Sequence, residues 1–188
     1  MKLRIITAFA LAAGMLAAGA ATAQQAGPPA APAAPTAPPD LNAVPDKMPF
    51  ILPFGTPISA DKAQAVLAAA SAEATKRGWP EVFAVVDAHG DLVALTRMDG
   101  AQLASIAIAQ HKARTAARYR RPTRAFEDAV QKFGFNYILT LDDVIASRGG
   151  VPLVEDGKII GAVGCSGGTG SQDETLCLAA AAAVNKTQ

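Results

Sequence analysis

One stretch of the chain gathers most of the side chains that could do chemistry. From Gln102 to Tyr119 there is no proline or glycine, and the run reads as a helix. At ~100° per residue, Ser105, Ile108, Lys112, Thr115 and Tyr119 fall within about 80° of one another. Ala109, Ala113, Ala116 and Ala117, with Ile106, form the neighbouring stripe, and alanine lets a helix lie close on a sheet. A lysine and a threonine about one turn apart can offer a cation and a hydroxyl to one anionic ligand. The same stripe also fits a solvated helix edge along which Lys112 snorkels.

His111 lies ~100° from Lys112, on the side of Arg114 and Arg118. It suits either a haem axial ligand or an ordinary surface position. Six of the thirteen residues from Lys112 to Arg124 are basic. Cations are welcome at a helix C-terminus without any ligand, yet Arg118, Arg120, Arg121 and Arg124 would also suit carboxylates such as haem propionates. Arg97-Met98-Asp99-Gly100 leads straight into the helix, and Arg148-Gly149-Gly150 makes a tight corner. Backbone N–H groups in such a corner can bind an anion, or the glycines can simply serve a turn at positive φ. Cys165 and Cys177 are twelve residues apart; a disulfide and two buried thiols both remain open.

Sharper motifs are missing. The chain has no HExxH, CxxC, P-loop or G-x-S-x-G pattern. Two histidines are too few for an all-histidine zinc site. Gly161 to Gly168 lacks the parallel βαβ surroundings of a dinucleotide fingerprint.

The elements that must position these residues follow from pattern and punctuation. Ser59 caps a helix over Ala60 to Arg77, which Gly78 and Pro80 end. Val82–Asp87 and Leu92–Arg97 form a hairpin around His89-Gly90. After the 102–119 helix, Pro122 and Thr123 open a third helix from Arg124 to Phe133. Phe135 to Ser147 is ambiguous. Val151–Val154 and Lys158–Val163 form a second hairpin, a glycine-rich loop runs from Gly164 to Gly170, and an alanine-rich helix runs from Asp173 to about Val184. Helices and hairpins in blocks imply an α/β class with helices packed on a largely antiparallel sheet.

Two segments stand outside this core. Lys2 and Arg4, an apolar run from Ile5 to Leu16, and Ala21-Thr22-Ala23 have the form of a signal peptide over 1–23. Residues 24–57 hold ten of the 13 prolines, reading as an extended Pro/Ala-rich linker and arm whose end, Met48–Phe54, is apolar enough to lie against the domain or a neighbouring subunit. Residues 58–188 are long enough for one real core. No other stretch is long and apolar enough to span a membrane. The formal net charge of +1 would become −1 once Lys2 and Arg4 are removed. With sparse aromatic interleaving, nucleic acid is an unsuited partner.

Taken together, several motifs give the chain a close resemblance to the GlcG/HbpS family. They are Val85-Val86-Asp87, Arg97-Met98-Asp99-Gly100-Ala101, Ser105-Ile106-Ala107, Lys112-Ala113-Arg114-Thr115-Ala116, Arg121-Pro122-Thr123, Gly149-Gly150-Val151-Pro152, Asp156-Gly157, Gly161-Ala162-Val163-Gly164, Ser166-Gly167-Gly168 and Gln172-Asp173. The likeness runs from about Pro53 to Ala183, and the leader with Pro53-Phe54-Gly55-Thr56-Pro57-Ile58 resembles the family's exported branch. The resemblance implies a profilin-like fold, with a five-stranded antiparallel sheet flanked by helices, and a homo-oligomer. It implies binding of haem or another tetrapyrrole, and a periplasmic or secreted protein serving haem uptake, sensing or degradation. It also implies Lys112 and Thr115 as the pocket pair, with Arg97, Asp99, Gly149, Gly150 and Asp173 as its rim.

Two further readings compete. One is an enzyme acting on a small anionic hydroxy or keto acid, with Lys112 as the reactive group. The other is an oligomeric sensor partner without ligand chemistry.

Overall fold

The computed structural model describes residues 40, 43–48 and 52–185. The expected leader over 1–23 and most of the 24–57 linker lie outside the described residues.

Helix α1 (Ala60–Arg77) starts where the Ser59 hydroxyl accepts the Lys62 amide at 3.3 Å. It stops at Gly78, whose φ of 68° is left-handed. Strands β1 (Val82–Asp87) and β2 (Leu92–Arg97) pair antiparallel. Their turn is held by the Asp87 carboxylate, which accepts the amides of His89 and Asp91 at 2.8 and 3.0 Å. Helix α2 (Ser105–Arg118) begins three residues later than the sequence pattern suggests, because Gln102 to Ala104 are taken up by a turn and Ala104 brings no capping side chain. Helix α3 (Arg124–Phe133) ends at Gly134, and a 3-10 turn (Asn136–Thr140) fills part of the ambiguous stretch. Strands β3 (Gly150–Glu155) and β4 (Lys158–Ser166) form the second hairpin.

Helix α4 (Gly170–Ala181) begins earlier than Asp173. The sequence signal for this was Thr169-x-x-Gln172, a capping box in which Thr169 accepts the Gln172 amide and Gln172 reaches back to the Thr169 amide. Asp173 therefore stands inside the first turn.

The sheet order is β2-β1-β4-β3, antiparallel throughout. The described residues form four strands in place of the five expected. The arm approaches the role of a fifth without filling it. Phe54 makes a single parallel bridge to Ile159, the Gly55 amide donates to the Ile159 carbonyl at 2.7 Å, and the Ile58 amide donates to Ile160 at 2.8 Å. Pro53 and Pro57 have no N–H to extend that ladder. The Arg120 guanidinium lies over the Phe54 ring at 5.5 Å, holding the arm against the domain.

Alternation along the strands splits the core in two. Phe83, Val85, Leu153 and Val163 pack with Val66, Leu67 and Ala70 of α1 and Leu176 and Ala180 of α4. On the opposite face, Val82, Ala84, Val86 and Ala162 pack against Ala109, Ala113, Ala116 and Ala117 of α2. Helix α2 lies so close that a Cβ at Gly164 would sit 2.0 Å from the Ala109 carbonyl oxygen. One at Gly150 would sit 2.3 Å from the Lys112 carbonyl oxygen. Cys165 of β4 and Cys177 of α4 are joined as a disulfide, with Cα atoms 5.7 Å apart, fastening α4 to the sheet.

Candidate functional site

The register gathers many of the expected site residues at one end of the sheet. Val82 pairs with both Arg97 and Ser166, and Gly150 pairs with Gly164. That end therefore holds the last residue of β2, the first of β1 and β3, and the end of β4. Arg97 and Asp99 are exposed there. Ser105 is buried and accepts the Ser166 hydroxyl at 3.0 Å.

Lys112 comes from one face of the sheet and Asp173 from the helix on the other. Lys112 is only 1% exposed, and its Nζ donates to Asp173 Oδ2 at 2.5 Å. The second Asp173 oxygen accepts the Gly168 amide at 3.0 Å. The Gly149-Gly150 corner makes this reach possible. A Cβ at Gly149, whose φ is +112°, would sit 2.7 Å from Asp173 Cβ and 3.1 Å from Lys112 Nζ. The corner is thus a seat for a buried ion pair. That use of the lysine differs from a reactive amine facing a substrate, since Lys112 forms no part of the neighbouring hollow described below.

The rest of the α2 stripe turns elsewhere. Thr115 is buried, donates to the Asp143 carbonyl at 2.6 Å and accepts the Ile145 amide at 3.1 Å. The Tyr119 hydroxyl donates to the Asp142 carbonyl at 2.7 Å. Arg118 pairs with the Asp143 carboxylate and donates to the His89 carbonyl at 2.8 Å. These three residues grip the irregular segment that follows the 3-10 turn, so the helix edge that could have been a ligand cradle is a clamp on a loop. Ile108 and His111 are half-buried. No hydrogen bond or ion pair among the described residues engages the His111 side chain. No group of three or more His, Cys, Asp or Glu among the described residues is placed to hold a metal ion.

Sequence reasoning missed Glu81. It stands directly before β1, is 0% exposed, and has no donor to either carboxyl oxygen among the described residues. Two ionised acids can only accept from one another, so Glu81 and Asp173 need a proton between them. Burial above all, then the Asp173 charge, pushes the Glu81 pKa up to about 8. The Lys112 charge works against this shift, and a hydrogen bond to Asp173 adds to it. At neutral pH Glu81 is mostly the acid and supplies that proton. The available signal was an acid abutting a strand with no polar residue until Asp87.

Glu81 also forms a wall of a hollow of about 260 Å³, with Trp79, Pro80, Gln102, Gly167 and Gln172 around it. The ring of Trp79 is backed by the Arg77 guanidinium at 5.0 Å.

A helix-flanked antiparallel sheet with a buried acid–lysine cluster at one end defines a small α/β domain. Residues 58–182 match the family described as HbpS-like, haem degrading protein HbpS-like, and the chain belongs to it. Protein GlcG of Escherichia coli (strain K12) is 45% identical over 109 residues, which is 58% of this chain and 81% of that protein. The crystal structure of a PduOC:haem complex superposes with a TM-score of 0.62 at 33% identity, covering 69% of this chain and 96% of that one. The structure of a double mutant of Streptomyces reticuli HbpS gives a TM-score of 0.64 at 26% identity, covering 79% and 100%. Haem binding is thus a property supported at the level of the family. No helix among the described residues is long and apolar enough to cross a membrane.

Proposed function

We propose that this protein is exported and binds haem, in the service of haem uptake, sensing or degradation. The observation that carries the reading is the likeness to the PduOC:haem complex over 96% of that chain. Support for export comes from the charged, apolar and A-x-A sequence of 1–23, and from the Cys165–Cys177 disulfide, which suits an oxidising compartment.

The residues present fit haem on the outside of α2 rather than inside the domain. The hollow of about 260 Å³ is smaller than the ~300–1,000 Å³ usual for sites that enclose a drug-sized ligand. Opposite the alanine face of α2, His111 shares the outer stripe with Arg114 and Arg118, and Ile108 flanks it. His111 would hold the iron, Ile108 would give apolar contact, and Arg114, whose contact with Asp143 is a long 4.0 Å, would meet a propionate, whereas Arg118 would do so only by leaving Asp143. Tyr119 suits the iron less, because its hydroxyl is committed to Asp142 and its ring meets Phe126 edge-on at 5.3 Å. Bound haem supplies a redox-active iron and the absorbance by which binding is read.

Self-association belongs to the same reading. Tyr137, Leu139 and Leu141 are exposed apolar side chains in and beside the 3-10 turn, and Phe133, Phe135 and Tyr137 stack in sequence beside them. The test is a haemin titration of the chain from Gln24 onward, followed by its Soret band and by sedimentation. A saturable shift is expected, altered by His111→Ala and kept by Tyr119→Phe. A spectrum that never departs from free haemin would end the proposal.

A further inference from the structure

The two edges of the sheet are finished differently. The β3 edge is closed from Gly150 to Val154. The Gly150 amide donates to the Thr123 hydroxyl at 2.9 Å, and its carbonyl accepts the Thr123 amide at 3.0 Å. Pro152 has no N–H, and its carbonyl accepts the Asn185 side-chain amide at 3.0 Å. The Val154 amide donates to the Asn185 side-chain oxygen at 2.7 Å. Thr123 and Asn185 thus stand in for a neighbouring strand, which keeps another chain from pairing there.

The β2 edge carries no such cover. The Met98 amide donates to the Glu81 carbonyl at 3.0 Å. Alternation from that point turns the N–H and C=O of Thr96 and Ala94 toward β1, and those of Arg97 and Leu95 away from it. No strand lies beyond β2 among the described residues, and none of their hydrogen bonds reaches these outward groups. The irregularity in the β1–β2 register falls near the turn, so the stretch from Ala94 to Arg97 is regular. Beside it, on the α2 side, stand the half-buried Leu95 and Ile106. Leu92 and Leu103 are 49% and 76% exposed.

We propose that this edge pairs antiparallel with β2 of a second copy of the chain, joining two sheets into one. Pairing about Leu95 lays that strand on its own twofold image. Two observations select this occupant. The chain's own linker is a poor fit, since ten of the 13 prolines lie in residues 24–57 and proline cannot donate to a ladder. Charge then favours an antiparallel copy. Asp91 precedes the strand and Arg97 ends it, both exposed, and no ion pair among the described residues engages either side chain. A twofold axis at Leu95 brings the Arg97 end of one strand beside the Asp91 end of the other, twice over. Asp99 lies beyond the strand, in the turn that follows. The surface shares no residue with the apolar 3-10 patch or with the outer face of α2, so it stands apart from the haem reading.

The experiment uses the chain from Gln24 onward, without haemin, carrying Tyr137→Ser and Leu139→Ser so that the 3-10 patch takes no part. Sedimentation from about 1 to 100 μM should show a monomer–dimer equilibrium. Arg97→Asp or Asp91→Arg alone sets like charges together and should weaken the dimer about tenfold; the two combined should restore it. These residues lie roughly 20 Å apart along one strand, so the rescue passes between two copies. In the same chain without the charge changes, the outward Leu95 and Arg97 amides should exchange with deuterium severalfold more slowly at the high concentration than at the low one. A monomer throughout, a dimer indifferent to the charge changes, or a double variant that stays weakened would overturn the proposal. So would protection of those amides that is independent of concentration, since a segment of the same chain would then cover the edge. With haemin absent and the 3-10 patch removed, each of these results leaves the haem reading and its own self-association surface standing.

Discussion

Glu81 and Asp173 are two buried acids beside one lysine that pairs with Asp173 alone, and only the protonated form of Glu81 makes that arrangement tolerable. The consequence for stability has a definite sign. Glu81 titrates near 8 in the fold and near 4.5 when free, so between those values the folded chain holds a proton that the unfolded chain has released. Stability therefore falls as pH rises from about 5 to about 8, by an amount on the order of a few kcal/mol. Glu81→Gln should flatten that slope and leave the variant more stable than the parent at pH 8.5. Urea midpoints across the pH range check this, and parallel slopes for the two proteins would contradict it. Sequence spacing put Lys112 on a significant stripe, but its partner was named only through the family resemblance. A contact between residues 61 positions apart, from helices on opposite faces of a sheet, leaves no local pattern.

At the scale of elements, α2 is placed by what its neighbours lack. Gly150 and Gly164 give the helix a floor without Cβ atoms, and its own alanines complete the close fit. This sets how far the Lys112 side chain reaches past the sheet. Gly164→Ala forces a methyl to within 2.0 Å of the Ala109 carbonyl oxygen, so α2 must lift. A loss of about 3 kcal/mol is expected in chemical denaturation followed by circular dichroism. A loss below about 1 kcal/mol would mean that the helix does not lie this close. The alanine stripe announced such packing from sequence. The clamp on the 142–145 loop was not announced, because Thr115, Arg118 and Tyr119 look alike whether they face a ligand, water or a backbone. The early start of α4 was written in the Thr169–Gln172 capping box.

For the whole molecule, the disulfide is the covalent link between the sheet and the helix that carries Asp173. It closes a loop of twelve residues' separation, for which chain entropy gives about 3 kcal/mol. The Cys165→Ala, Cys177→Ala double variant should lose about 2–4 kcal/mol in urea unfolding, and the parent should lose the same on reduction. Unchanged midpoints in both would show that the bridge carries no stability. The order of elements, the two hairpins, the antiparallel pairing and the family are all determined by the sequence itself. The elements and their pairing rest on periodicity, caps and turn residues, and the family on short motifs in a fixed order; all are signals between near neighbours in the chain. The number of strands, the choice of disulfide over thiols, the pairing of Lys112 with Asp173 and the protonated Glu81 were decided only by the tertiary structure. Each depends on how far apart distant segments come to rest and on how much water is left between them. Neither quantity is written in any single stretch of residues.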